Sequence, residues 1–494
     1  MLFNSFEYIF FFLPIVLFIY FYLNHKKLLS IAKLWVLLAS LFFYSWWNII
    51  YLPLMLSSIL FNYFIGILLT SNRLKKKKKM TLIIGILSNI FLLGYFKYSN
   101  FFISNINHIF HTNFHLLKIA LPLAISFFTF QQIAYLVDSY RKETKEFDFL
   151  SYGLFVTFFP QLIAGPIVHH KEIMPQFNNL RNKVFNYKNQ AIGVFIFSIG
   201  LFKKVILADT FSIWATEGFD TLEKLSFIEG WVTSLSFTFQ IYFDFSGYMD
   251  MAMGAALLFN IRLPINFNSP YKGLNIQDTW NRWHMTLGQF LYKYIFMPLN
   301  KYLLKSVFKP LGLKKYVRLR TYISLLLLFL ISGIWHGAGW TFIFWGFLHG
   351  TATVLHHIWK TFGIKMNKVI AWLLTFNFIN FTMIFFRAQD FHDAIKVIKG
   401  MIGLNGLILP EAFSSILDGP TLDLIKYGEI PLTGVSNAIK YILVAFTLIL
   451  CFKNSNELME KFKPSWQTFI FTIVLFIYSV LHISKVSEFL YFNF

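Results

Sequence analysis

The chain is poor in cysteine and in charge. Its one cysteine, Cys451, leaves no partner for an intramolecular disulfide and excludes a Cys-rich zinc site. Only 14% of the 494 residues are charged, against about 25% in an ordinary soluble domain. Acids are scarcer still, with 23 Asp and Glu against 44 Lys and Arg. The first apolar run, "MLFNSFEYIFFFLPIVLFIYFYLNHKK", has no basic residue ahead of it and is long enough to span, so it does not read as a secretory signal. No internal repeat is evident, which weighs against an inverted-repeat transporter.

Hydrophobic residues make up 56% of the chain and aromatics 20%. Apolar runs recur from end to end, many reaching the roughly 17 residues needed to cross about 30 Å of hydrocarbon. The expectation is an all-α polytopic membrane protein with about 10–12 transmembrane helices plus interfacial or re-entrant helices, in one integral-membrane domain over 1–494. The runs around 150–168 and 250–270 are the candidates for re-entrant or interfacial segments.

The formal charge of +21 sits mainly in short loops, where basic residues orient a membrane protein rather than bind nucleic acid. Span one ends in "NHKK", span two in the uncharged "WWNIIY", and span three in "SNRLKKKKKM" with lysines at 75–79. That alternation predicts an N-terminus outside and the lysine run as a cytoplasmic anchor. Residues 271–320 carry ten Lys and Arg against the lone acid Asp278, and read as cytoplasmic interfacial helices. Residues 403–435, with Glu411, Asp418, Asp423 and Glu429 among three prolines, read as an extracytoplasmic loop.

Polar residues interrupt the apolar background in five places: "FFPQLIAGPIVHHKEIMPQF" (158–177), "YFDFSGYMDMAMG" (242–254), "FNIRLPINFNSPY" (259–271), "DTWNRWHMTLGQFLYKYIFMPL" (278–299) and "SGIWHGAGWTFIFWGFLHG" (332–350). A charge at membrane depth costs some 2.5–3.5 kcal/mol on insertion scales, so Asp244 and Asp250, with Ser246 and Tyr248 between them, face a cavity or a partner.

In order and spacing these segments resemble the membrane-bound O-acyltransferases, and within them the membrane subunits of bacterial alginate or peptidoglycan O-acetylation systems. The resemblance covers essentially the whole chain. It implies a helical fold around a central tunnel, and a reaction that takes an acyl group from a cytoplasmic thioester to a hydroxyl outside. The donor implied is acetyl-CoA or another acyl thioester, with no tightly bound cofactor and no metal. The partner implied is an extracytoplasmic SGNH-type transferase, in the inner membrane of a bacterium. The family's signature histidine matches His336, and its second polar position matches His284. One departure stands out. Where this branch runs Trp-Phe-Arg-Asp-Tyr, this chain has Phe290, Leu291, Tyr292, Lys293 and Tyr294, so the Arg-Asp pair is missing.

Chemistry agrees with the resemblance. An alcohol attacking a thioester must lose its proton, and neutral imidazole is the matched base near pH 7. His336 is the expected base, with His284 orienting the donor or polarising its carbonyl; an acyl-histidine intermediate ranks below that. Asn281, Arg282, Trp283 and Trp335 are expected donor or tunnel contacts, and Asp244, Ser246 and Tyr248 tunnel candidates. Gly337 and Gly339 are expected to admit an acyl chain or backbone. His349 and His356, seven apart on one face, read as packing residues. His169 and His170 read as interfacial, and the series His108, His111, His115 lacks the carboxylate that would mark a metal site. The Lys, Asn, Ile and Phe load favours peptidoglycan over alginate by association with AT-rich genomes. D-alanyl transfer to teichoic acid, a transporter or flippase, and a non-catalytic scaffold are the rivals.

Overall fold

The structure, a computed structural model, describes residues 1–71, 77–144, 148–409, 425–428, 430–483 and 489–490. The lysines at 75–76 and the acidic Glu411, Asp418, Asp423 and Glu429 lie outside the described residues. Among the described residues the fold is all-α apart from a parallel pair of three-residue strands, Leu407–Leu409 and Ile425–Tyr427. It is a multi-pass membrane protein. Among the described residues six helices are long and apolar enough to cross a bilayer: Glu7–His25, Ile49–Thr70, Lys78–Phe110, Tyr187–Thr221, Val317–His336 and Lys368–Arg387. Any further crossing rests on shorter apolar helices such as Leu29–Ser45, Val435–Cys451 and Trp466–Leu481, or on helices with polar interruptions.

The described residues form two compact units. The first comprises residues 1–202, 247–266 and 459–494. Its core is aromatic, with Tyr8, Phe43 and Phe159 in mutual ring contact. Polar side chains join helices there too: Asn62 and Asn89 exchange amide hydrogen bonds at 3.1 and 2.6 Å, the kind of polar link that holds helices where lipid removes the hydrophobic drive. The run expected to be re-entrant breaks into the short helices Phe149–Thr157 and Phe159–Leu162, because Pro160 cannot continue the ladder.

The second unit comprises residues 203–246 and 267–458. The basic stretch folds as short helical pieces, Ile276–Trp280, Met285–Phe290, Leu291–Phe296, Met297–Leu303 and Leu304–Phe308, two of them π-helical. Helix Val317–His336 shows how sequence sorts its faces. Leu319, Ile323, Leu327 and Ile331, spaced by four, form an exposed apolar stripe, while Ser324, Ser332, Gly333, Trp335 and His336 are buried. Small and polar residues therefore face protein, and the apolar stripe faces lipid. Its neighbour, Trp340–Thr361, approaches it backbone to backbone: a Cβ at Gly333 would meet the Phe342 carbonyl, and one at Gly346 the Phe329 carbonyl. The foot of the 403–435 loop is pinned by acids. Glu229 accepts from the Ser226 and Leu432 amides at 2.8 and 3.0 Å, and Glu217 from the Thr433 amide at 3.1 Å.

Candidate active site

Three histidines of the second unit are buried: His284 at 1% exposure, His336 at 3% and His349 at 0%. His336 is the last residue of Val317–His336, and extended Gly337 ends that helix. This end carries the negative pole of the helix dipole, which favours an imidazolium as it forms. Its ring lies among Trp335, Trp345 and Phe386, with centroids at 4.8, 5.1 and 5.2 Å, all edge to face. Those indoles and the phenyl ring keep water from the imidazole, the condition under which a thioester survives to be transferred. Gly337 does not open a path for an acyl chain. The room a Cβ would need beside it is filled by the Phe342 ring, so its missing side chain serves packing of the turn.

His284 sits at φ 43°, ψ 53°, a left-handed conformation unusual outside glycine, just ahead of helix Met285–Phe290. Strain of this sort persists where surrounding structure over-determines a residue. Its ring meets Phe245 edge-on at 4.8 Å and Trp335 at 6.5 Å. It also lines a cavity of about 590 Å³ with Asn281, Gln277, Trp280, Gln289, Ser332 and His357 among its walls. No carboxylate or lysine lines that cavity among the described residues, so it suits a neutral, hydrogen-bonding ligand segment with an apolar body.

His349, read from sequence as packing, joins the same cluster. Trp280 donates its indole N–H to His349 Nδ1 at 3.3 Å, and the two rings stand 5.0 Å apart. With Nδ1 accepting, the proton of the neutral ring is on Nε2. That atom is buried and finds no acceptor among the described residues. Trp345 lies 4.6 Å from this imidazole and 5.1 Å from that of His336, so one indole separates two buried histidines. Neither Trp280 nor His349 carried a sequence signal of this pairing, since 69 residues separate them.

The remaining candidates divide. Asn281 lines the cavity with His284. Arg282 pairs locally with Asp278 at 2.8 Å and donates to the Asn268 carbonyl at 3.3 Å. Trp283 packs on Phe267 and Tyr271 at 5.0 and 5.9 Å. Asp244 accepts from Lys204 at 2.6 Å, and Lys204 also reaches Asp209 at 3.0 Å; Lys204 is the cation that sequence reading missed. Ser246 is buried with its hydroxyl unpartnered among the described residues. Tyr248 and Asp250 belong to the first unit, where Tyr248 packs on Phe3 and Phe489 at 4.8 and 4.3 Å. Tyr292, in place of the family's charged pair, lines the cavity, and Lys293 lies over the Tyr294 ring at 4.9 Å. His169 and His170 are in the first unit, His169 Nδ1 lying 3.6 Å from Asp138. Among the described residues the side chains that bring three metal-ligand atoms together are Asp390, His392 and Asp393.

Comparison with known proteins places these observations. The profile described as MBOAT, membrane-bound O-acyltransferase family, matches residues 11–300 and 297–389. A peptidoglycan O-acetyltransferase of Helicobacter pylori is 46% identical, over 100% of this chain and 98% of its own length. A probable alginate O-acetylase of Pseudomonas aeruginosa is 33% identical over 85% of this chain and 78% of its own. A teichoic acid D-alanyltransferase of Bacillus subtilis is 26% identical over 55% of this chain and 69% of its own.

Proposed function

Since the chain belongs to the membrane-bound O-acyltransferase family and is an O-acetyltransferase by its relatives, we propose that it carries acetyl from a cytoplasmic thioester across the inner membrane for O-acetylation of peptidoglycan. The observation that carries the chemical reading is the gathering of His284, His336 and His349 in one aromatic shell, with His284 on a cavity wall. What supports peptidoglycan as the polymer is full-length 46% identity to a protein named for it, against 33% for the alginate relative and 26% for the D-alanyl one.

The donor is acetyl-CoA. Its thioester arm occupies the cavity, where Asn281 and His284 hold and polarise the carbonyl. His336 takes the proton of the receiving hydroxyl, a serine of the extracytoplasmic partner, as its oxygen attacks the acetyl carbon. The C–O bond forms, the C–S bond breaks, and the proton returns to the leaving thiolate. A general base of this kind contributes about 10²–10⁴-fold. His349, held in its Nε2–H tautomer by Trp280, is a positioning residue for Trp345 and through it for His336. The N-terminus is outside, and an SGNH-type transferase outside the membrane completes delivery to the polymer.

The test is ester-linked acetate on purified peptidoglycan from cells with wild-type protein, no protein, or His336→Ala at matched abundance. Loss in both the null and the variant is expected. Loss in the null alone would demote His336 to packing, and unchanged acetate in all three would overturn the peptidoglycan assignment.

A further inference from the structure

A second large cavity, of about 1020 Å³, lies wholly in the first unit, and none of His284, His336 and His349 lines it. It opens along helix Leu13–His25 and is closed on its other side by the turn Leu180–Lys183 and the segment that follows. Its floor is apolar, built from Leu17, Phe18, Phe21 and Phe185. Lys27, Lys183 and His25 are among the residues that line it, and no carboxylate is.

From this arrangement we propose that the groove binds an anionic glycerophospholipid, its acyl chain along Phe18, Phe21 and Phe185 and its phosphate between Lys27 and Lys183. The division of labour is that of an amphiphile site. An apolar trough with a cationic lip matches a lipid whose single net charge sits at the junction of chain and headgroup. Neither lysine has a carboxylate partner among the described residues, so their charge is not already neutralised within the protein.

Three further observations converge on the same lip. Asn24, 8% exposed, lines the groove with its Oδ1 buried and without a donor among the described residues, while its amide donates to the Tyr20 carbonyl at 2.8 Å. That oxygen accepts from an N–H or O–H donor, and a glycerol headgroup brings hydroxyls without cancelling the lipid's negative charge. Lys27 adopts φ 60° in the turn between Leu13–His25 and Leu29–Ser45, a conformation in which glycine is the usual choice, so the side chain is kept at a backbone cost. Lys183 has its ammonium pKa lowered, first by burial and then by the charge of Lys33, and an anion between the lysines relieves both effects. With the N-terminus outside, as proposed above, this end of the first helix lies in the cytoplasmic leaflet, where anionic headgroups set a negative surface potential.

The experiment is native mass spectrometry of the purified full-length protein, titrated in neutral detergent with phosphatidylglycerol or with phosphatidylethanolamine. The expected result is retention of phosphatidylglycerol in preference to phosphatidylethanolamine. Lys27→Gln with Lys183→Gln is expected to weaken phosphatidylglycerol about 30-fold, a factor near five for each lysine at the surface. Lys314→Gln with Lys315→Gln, an exposed pair elsewhere in the chain, is expected to leave it unchanged. The charge-conserving Lys27→Arg with Lys183→Arg, monodisperse on gel filtration, should retain the lipid and so separates loss of site from loss of fold. Equal binding of the two lipids by the wild type, or equal loss in both glutamine pairs, overturns the proposal. So does displacement of phosphatidylglycerol by free acetyl-CoA, which would make the groove a donor site.

Discussion

Replacing Lys204 by Met tests whether Asp244 is a tunnel group or a structural one. The side chains of Lys204 and Asp244 are 3% and 2% exposed, and their 2.6 Å contact is buried on all sides. Removing the ammonium strands a carboxylate in a low-dielectric interior, a loss of about 3–5 kcal/mol. Asp209, the second partner at 3.0 Å, is 26% exposed and can rehydrate, so it adds little to that figure. Adding Asp244→Asn to Lys204→Met removes the stranded charge, and should recover about 2–3 kcal/mol as coupling energy. The assay is a double-mutant cycle by equilibrium unfolding in mixed micelles, run beside the acetate measurement. If the pair is structural, the double variant regains both stability and acetylation. A double variant as unstable as Lys204→Met alone would refute the electrostatic account. Recovered stability without recovered acetylation would return Asp244 to the reaction path.

Other outcomes follow from the same geometry. Trp280→Phe keeps an aromatic ring, though a smaller one, and removes the donor to His349 Nδ1, and should cost about 1–3 kcal/mol with a fall in acetylation that exceeds the fall in abundance. Gly346→Val should destabilise by about 1–3 kcal/mol, since its side chain would push on the Phe329 carbonyl and shift the helix that ends in His336; thermal unfolding in detergent reads it. Burial alone would raise the Asp148 carboxyl, but hydrogen bonds from the Ser151 side chain and from the Ser151 and Leu150 amides outweigh it and hold the group below its usual range. Its folded pKa being depressed, the stability it adds is present above about pH 4 and lost as pH falls through the folded value. Asp148→Asn, which still caps helix Phe149–Thr157, should flatten that part of the pH–stability curve measured by unfolding.

Where burial was written in contiguous residues, it was legible. His336 between Trp335 and Gly337 announces an imidazole in an apolar run, and the structure surrounds it with Trp345 and Phe386 as such a run requires. Helix Val317–His336 follows from the apolar run that makes up most of it. What escaped was long-range pairing. Lys204 sits 40 residues from Asp244, and its neighbourhood "LFKKVILADT" reads as a span end, where lysines are ordinary. His349 looked like packing because its spacing to His356 follows a helix face, whereas its partner Trp280 comes from a different segment. Gly337 was legible as a close-approach position, but nothing local told whether ligand or Phe342 would fill the space, and Gly339 has only ordinary contacts.

The segment Lys203–Ala208 is wound as a π-helix, and this explains how Lys204 and Asp209, five positions apart, reach one another. In an α-helix two residues at that spacing point about 140° apart. The wider turn therefore behaves as a register setting carried by one surplus residue. Deleting a single residue within 205–208 would leave hydropathy, charge and span length almost as they are, and would keep Asp209 within reach of the ammonium at the four-residue spacing of an α-turn, yet it would rotate everything beyond it by about 100°. A length change that every composition-based reading would pass as silent would, at this place, be as disruptive as removing a charged side chain.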